Sequence, residues 1–169
     1  MRMFVALTLC LACQSLLADA ITIVNHQLQL SSMPQFIAHT AELTPESRDS
    51  LLAIKSFLEQ KTYITTLRIE GHVVLTNEAE NLALSQARAL AIGQGLVAVG
   101  VDCQRLVAVG FGSTKPIALN STPEGRAENN RIVFAVAALR NRAIGGMPLE
   151  GLGVNAGELC AVADTKTNN

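Results

Sequence analysis

Apolar and polar positions change period several times along this chain, and each change marks an element. Ile21, Ile23, Leu28 and Leu30 alternate with polar residues, which predicts one or two short strands. Pro34 interrupts them, because proline cannot donate to a ladder, and residues 35–38 can resume the strand. Thr44 and Pro45 then form a helix start, with Glu46 in the first turn where the helix dipole favours an acid. Leu51, Ile54 and Leu58 recur at helical spacing, so the first helix is expected over residues 45–60.

Residues 62–71 return to alternation. Ile64, Leu67 and Ile69 are apolar, while Arg68 and Glu70 fall on the other face, which predicts a central strand. A loop over 73–78 follows, with Asn77 or Glu78 as the cap of a second helix running to about Ala98. Residues 104–110 and 131–138 read as two further strands, the last apolar on both faces. Proline and glycine punctuate 110–116 and 120–125, which read as turn-rich loops. The order β-α-β-α-β-loop-β predicts an α/β two-layer sandwich of the α+β kind, with helices on one face of a mixed sheet. The closing pair of strands, joined without a helix, argues against a doubly wound fold.

Residues 1–20 do not belong to this pattern. Arg2, the apolar run from Met3 to Ala12 and the small residues of Ala18-Asp19-Ala20 form a secretory signal cleaved after Ala20. A lipoprotein signal ending at Cys13 is the competing reading, but the residues before it make a poor lipobox. The run is short for a bilayer, and no later segment is apolar enough to span one as a helix. Two of the four cysteines leave with the signal. Cys103 and Cys160 remain. In an oxidising, exported setting they are expected to pair and tether the C-terminal end, against the competing reading of two buried free thiols. Residues 143–169 read as a Gly-rich tail and 21–142 as the domain.

Charge and motifs narrow the function. The formal net charge is −1, which leaves no electrostatic footprint for nucleic acid. His26, His39, His72 and the cysteines lack a close-spaced ligand pair, so no metal is expected. Gly110-Phe111-Gly112-Ser113 is neither a nucleophile elbow nor a dinucleotide fingerprint, and no cofactor or catalytic motif is present.

Five fragments stand in order: residues 36–46; Arg68-Ile69-Glu70-Gly71-His72; Asn81 with Leu84-Ser85 and Arg88-Ala89; Val109 to Gly112 with Pro116; and Asn120, residues 122–126, Asn129 and Arg131. Together they resemble the OmpA-like C-terminal domain, the family that includes the peptidoglycan-binding parts of Pal lipoproteins and of the flagellar stator protein MotB. The resemblance covers about residues 28–138. It implies a periplasmic, non-catalytic domain, associated with the outer membrane, that binds the peptide stem of peptidoglycan or contacts other envelope proteins.

In the family an Asp meets the ammonium of diaminopimelate and an Arg clamps its carboxylate, a division of labour that suits a guanidinium fork and an acid. On the matching positions the resemblance assigns Arg88 as the clamp. Asn81, Ser85, His72, Asn129 and Arg131 are its companions, with positions 81, 85 and 88 on one helical face. Two positions depart: Val74 stands where the family has the Asp, and Asn130 where it has an Arg. Glu78 and Glu80 are the nearest acids in sequence that could substitute. The expectation is therefore a binding site with degenerate charge chemistry, or a domain of this fold that has become a protein-contact module.

Overall fold

The computed structural model describes residues 21–75, 77–144 and 153–160. The signal segment, Thr76 and the rest of the C-terminal stretch lie outside the described residues.

The chain opens with a hairpin, β1 (Thr22–Val24) and β2 (Gln27–Gln29). Asn25 and His26 turn it with φ of 50° and 63°, the left-handed pair that a tight two-residue hairpin turn needs. Helix α1 (Ser47–Gln60) follows, then strand β3 (Ile64–His72) and helix α2 (Glu78–Ala98). A single 3-10 turn at Cys103–Arg105 leads into β4 (Leu106–Gly110). Helix α3 (Pro123–Asn129) precedes β5 (Arg131–Leu139), and two short strands, β6 (Arg142–Ala143) and β7 (Val154–Asn155), follow.

The sheet runs β1-β2-β5-β3-β4-β7, with β6 paired to β5. It is mixed: β3 and β4 are parallel, and β5 lies antiparallel to β3. The expected α+β sandwich is therefore the observed fold, and β3 is central.

Three local expectations are corrected. The last long strands are joined by α3, not by a bare loop, because Thr122 Oγ1 accepts the Gly125 N–H (3.1 Å) and Pro123 occupies the first turn. Residues 35–38 make only an isolated bridge, Phe36 to Leu43, in place of a resumed strand. Helix α1 begins at Ser47, after a tight turn in which the Ser47 N–H donates to Thr44 O (3.0 Å). Ser47 Oγ in turn accepts the Gln35 N–H and donates to Gln35 O, both at 2.9 Å. That reciprocal pair fastens the segment around Gln35 to the start of α1.

One face of the sheet carries the core. Leu67 and Ile69 of β3, Leu106 and Ala108 of β4, and Phe134 and Val136 of β5 meet Leu51, Ile54 and Leu58 of α1 and Ala89, Ile92 and Leu96 of α2. The period-2 pleat sends Arg68, Glu70 and His72 to the opposite face, across from Ala135, Val133 and Arg131. Residues 153–160 complete the domain. β7 pairs antiparallel with β4, Leu159 enters the core, and a disulfide joins Cys103 to Cys160 with their Cα atoms 5.1 Å apart.

Candidate functional site

Helix α2 sets the site. Its buried stripe is Asn81, Ser85, Ala89, Ile92 and Leu96, which lies against the sheet. Gly71 of β3 allows the contact: a Cβ there would stand 2.0 Å from Ser85 O. Asn77 Oδ1 caps the helix by accepting the Ala79 N–H (2.9 Å). Arg88 leaves α2 beside the buried stripe and is half-buried.

The Arg88 guanidinium does not turn back towards the loop after β3. Its Nε donates to Thr40 O (2.8 Å), and its Cζ lies 5.0 Å from the centroid of the Phe36 ring. No other partner engages it among the described residues. Burial lowers its pKa from the usual arginine value, yet an arginine remains a cation at neutral pH. It borders a pocket of about 350 Å³ together with Met33, Pro34, Gln35, Phe36, Asn130, Arg131 and Ile132. Arg131 also borders this pocket, while its own guanidinium donates to Lys115 O (3.1 Å).

Three of the other positions named by the resemblance, Asn81, Ser85 and Asn129, lie elsewhere, and their polar atoms are occupied. Asn81 Oδ1 accepts the Leu75 N–H and its Nδ2 donates to Glu78 Oε2, so it pins the loop after β3. Ser85 Oγ donates to Leu82 O (2.8 Å) and accepts the Gly112 N–H (2.9 Å), which locks α2 to the end of β4. Asn129 is buried: Oδ1 accepts from the Ile117 and Ala118 N–H groups, and Nδ2 donates to Ala118 O and Asn120 Oδ1. These three organise loops around the pocket without bordering it. Asn130 does border it, and its Oδ1 accepts the Val74 N–H (2.8 Å).

Val74 itself is only 6% exposed and does not line the pocket. Neither do Glu78 and Glu80. Glu78 accepts from Ser113 Oγ and Asn81 Nδ2, and the hydrogen bond from Ser113 holds its carboxyl below the usual carboxylate range. Phe36 and the Thr40 carbonyl, on the turn closed by the isolated Phe36–Leu43 bridge, and Met33 and Pro34, just before it, are contributors that periodicity did not reveal.

A second recess, of about 700 Å³, lies on the opposite face of the sheet and is bordered by Arg68, Glu70, His72, Lys115 and Arg131. Arg68 and Glu70 form a buried ion pair there. Burial pushes the Glu70 carboxyl up, but the contact with His72 and the charges of Arg68 and Lys115 outweigh it, and the net shift is downward. His72 is 2% exposed, and its ring stacks on Phe111 with centroids 5.1 Å apart. Its Nε2 is 3.4 Å from Glu70 Oε2, and neither ring nitrogen makes a hydrogen bond among the described residues.

Burial lowers the His72 pKa more than Glu70 raises it. A histidine with a depressed folded-state pKa stabilises the fold above its unfolded value. That contribution is lost as the pH falls through the ordinary value of 6.5 towards the folded one. Urea midpoints are therefore expected to fall on acidification through this range, and less so in His72→Phe. Identical pH dependence in the two proteins would contradict a buried neutral His72.

No group of three or more potential metal ligands occurs among the described residues, and no helix there is long and apolar enough to cross a membrane.

Comparison with known proteins agrees with this architecture. Residues 35–131 match the OmpA family. The probable lipoprotein YiaD of Escherichia coli K12 is 31% identical over 116 residues, covering 68% of this chain and 52% of the relative. The peptidoglycan-binding protein ArfA of Mycobacterium tuberculosis H37Rv is 47% identical over 60 residues, 36% of this chain and 18% of ArfA. The chain thus spans about half of the first relative's length and far less of the second's. Among solved structures, the cell wall anchor of the type VI secretion system from Pseudomonas aeruginosa is similar. It shows a TM-score of 0.51 and 31% identity over 59% of this chain and 74% of that one.

Proposed function

The chain belongs to the OmpA family, and from that premise we propose that it is an exported, non-catalytic envelope domain that binds the peptide stem of peptidoglycan non-covalently. The observation that carries this reading is Arg88. Its guanidinium is positioned by Thr40 O and the Phe36 ring, has no carboxylate partner among the described residues, and borders a pocket. A fixed, partly desolvated guanidinium with free donors is a receptor for a carboxylate. Stem peptides end in carboxylates, and the names of ArfA and of the secretion-system anchor tie those proteins to the wall. Export to the periplasm rests on the signal-like residues 1–20, which lie outside the described residues, and association with the outer membrane rests on the family membership.

The site is one-sided. Val74 replaces the acid expected from the family, and the pocket offers an ammonium no carboxylate among the described residues. A charge-assisted hydrogen bond lost from such a site costs about 1.5–3 kcal/mol, or roughly tenfold to a hundredfold in affinity. That deficit favours one second reading, in which the domain keeps the fold and serves as a contact module for other envelope proteins.

Sedimentation with purified diaminopimelate-type sacculi separates the two. Wild type is expected in the pellet, and Arg88→Ala is expected to need roughly tenfold or more sacculi for the same fraction bound. A folded wild type that stays in solution, or an Arg88→Ala protein that pellets equally well, would leave the contact-module reading.

A further inference from the structure

We propose that the Arg88 pocket prefers an α-carboxylate whose neighbouring nitrogen is acylated over one whose neighbouring nitrogen is a free ammonium. This rests on the reading of the pocket as a stem-peptide site and specifies the chemical form of stem it takes. The balance of charge in the pocket sets this preference. Arg88 and Arg131 border the pocket, and no bordering residue among those described carries a carboxylate. Phe36, whose ring could hold an ammonium, has Arg88 stacked over it at 5.0 Å. The rim offers two neutral side-chain amides: Asn130, whose Oδ1 receives the Val74 N–H at 2.8 Å, and Gln35, whose Nε2 donates to Met33 O (3.0 Å).

An ammonium entering here gives up water, gains no counter-charge and approaches a fixed guanidinium. An amide nitrogen carries no charge, so its desolvation is far cheaper. Met33, Pro34, Phe36 and Ile132 supply apolar surface for the acyl group. Two sources share this chemistry. One is the diaminopimelyl end of a stem whose amine is already acylated in a cross-link. The other is the C-terminal carboxylate of a stem, whose nitrogen lies in a peptide bond.

The test is calorimetric titration of the full mature chain with three probes. The first is N-acetyl-L-Ala-D-isoglutaminyl-meso-diaminopimelate with its L-centre carboxyl amidated, so that its single carboxylate lies beside the free amine. The second is the same peptide with that amine acetylated, and the third is N-acetyl-D-Ala-D-Ala. The acetylated stem is expected to bind roughly tenfold tighter than the free-amine stem. If N-acetyl-D-Ala-D-Ala matches the acetylated stem, the C-terminal carboxylate is the source; if it binds weakly, the cross-linked end is. Tighter binding of the free-amine stem overturns the preference while leaving the carboxylate reading standing. No binding of any probe removes that reading and this inference with it.

Asn130→Asp provides the independent check. The position is exposed, and the substitution is nearly isosteric and keeps an acceptor for the Val74 N–H. It places a carboxylate at the rim and is expected to shift the preference towards the free amine. An unchanged preference ratio in the Asn130→Asp protein would refute the charge argument.

Discussion

Gly71→Ala is expected to lower the unfolding free energy by more than about 3 kcal/mol, the upper end of ordinary overpacking costs. The added Cβ would stand 2.0 Å from Ser85 O and 2.8 Å from Ser85 C, both backbone atoms in the middle of α2. No rotamer change relieves a clash with backbone. The helix must move away from the sheet, or β3 must buckle between β4 and β5. Either displacement breaks the bond between the Gly112 N–H and Ser85 Oγ and loosens Ala89 and Ile92 against the core.

Gly95→Ala is the matched control. Its Cβ meets the Leu51 Cδ1 methyl at 2.8 Å, the far end of a flexible side chain. The substitution also removes a glycine from a helix interior, a gain of about 1 kcal/mol. Urea midpoints should therefore fall steeply for Gly71→Ala and stay level or rise for Gly95→Ala. A Gly71→Ala protein as stable as wild type would mean that α2 does not lie this close to β3.

The same contact explains what the sequence disclosed and what it withheld. Alternation around Leu67 and Ile69 and the helical stripe through Leu51, Ile54 and Leu58 reveal β3 and α1, because long periodic segments have one face in the core. Arg88 was legible through the motif around it, but its direction was not. A helix of known span does not show whether an arginine reaches the loop before it or the turn at Thr40.

Asn81 and Ser85 read as a polar ligand-facing pair at helical spacing. They are buried because glycines on the strands let the helix backbone approach, and each spends its polar atoms on a backbone N–H that would otherwise be orphaned. Helix α3 escaped detection because its seven residues include the Pro and Gly that also signal turns. The place of Val74 was hidden for a related reason. A loop residue's exposure depends on Asn130, 56 positions away, which grips its backbone.

Cys160→Ser, or reduction of the wild-type protein, is expected to destabilise the domain by about 4 kcal/mol on the chain-entropy account. That account assigns roughly 3–5 kcal/mol to loops between 15 and 100 residues. The bond between Cys103 and Cys160 closes a separation of 57. The loss extends to contacts that the tether keeps in place. Leu159 packs in the core, and its side chain lies so close to Gly93 that a Cβ there would meet Leu159 Cδ2 at 2.6 Å. The Ala156 N–H donates to Ala108 O (2.9 Å), and Gln86 Nε2 donates to Asn155 O (2.8 Å).

With the bond gone, β7 is a two-residue strand at the sheet edge, held by little beyond these contacts. It should then open locally before the domain unfolds. Hydrogen exchange in Cys160→Ser should accelerate at Ala156 while the β3–β5 ladder stays protected at low denaturant. The Arg88 pocket has no lining residue from 153–160, so sacculus binding should be retained wherever the variant remains folded. Coincident denaturation curves for oxidised and reduced protein would show that the C-terminal segment is held by packing alone.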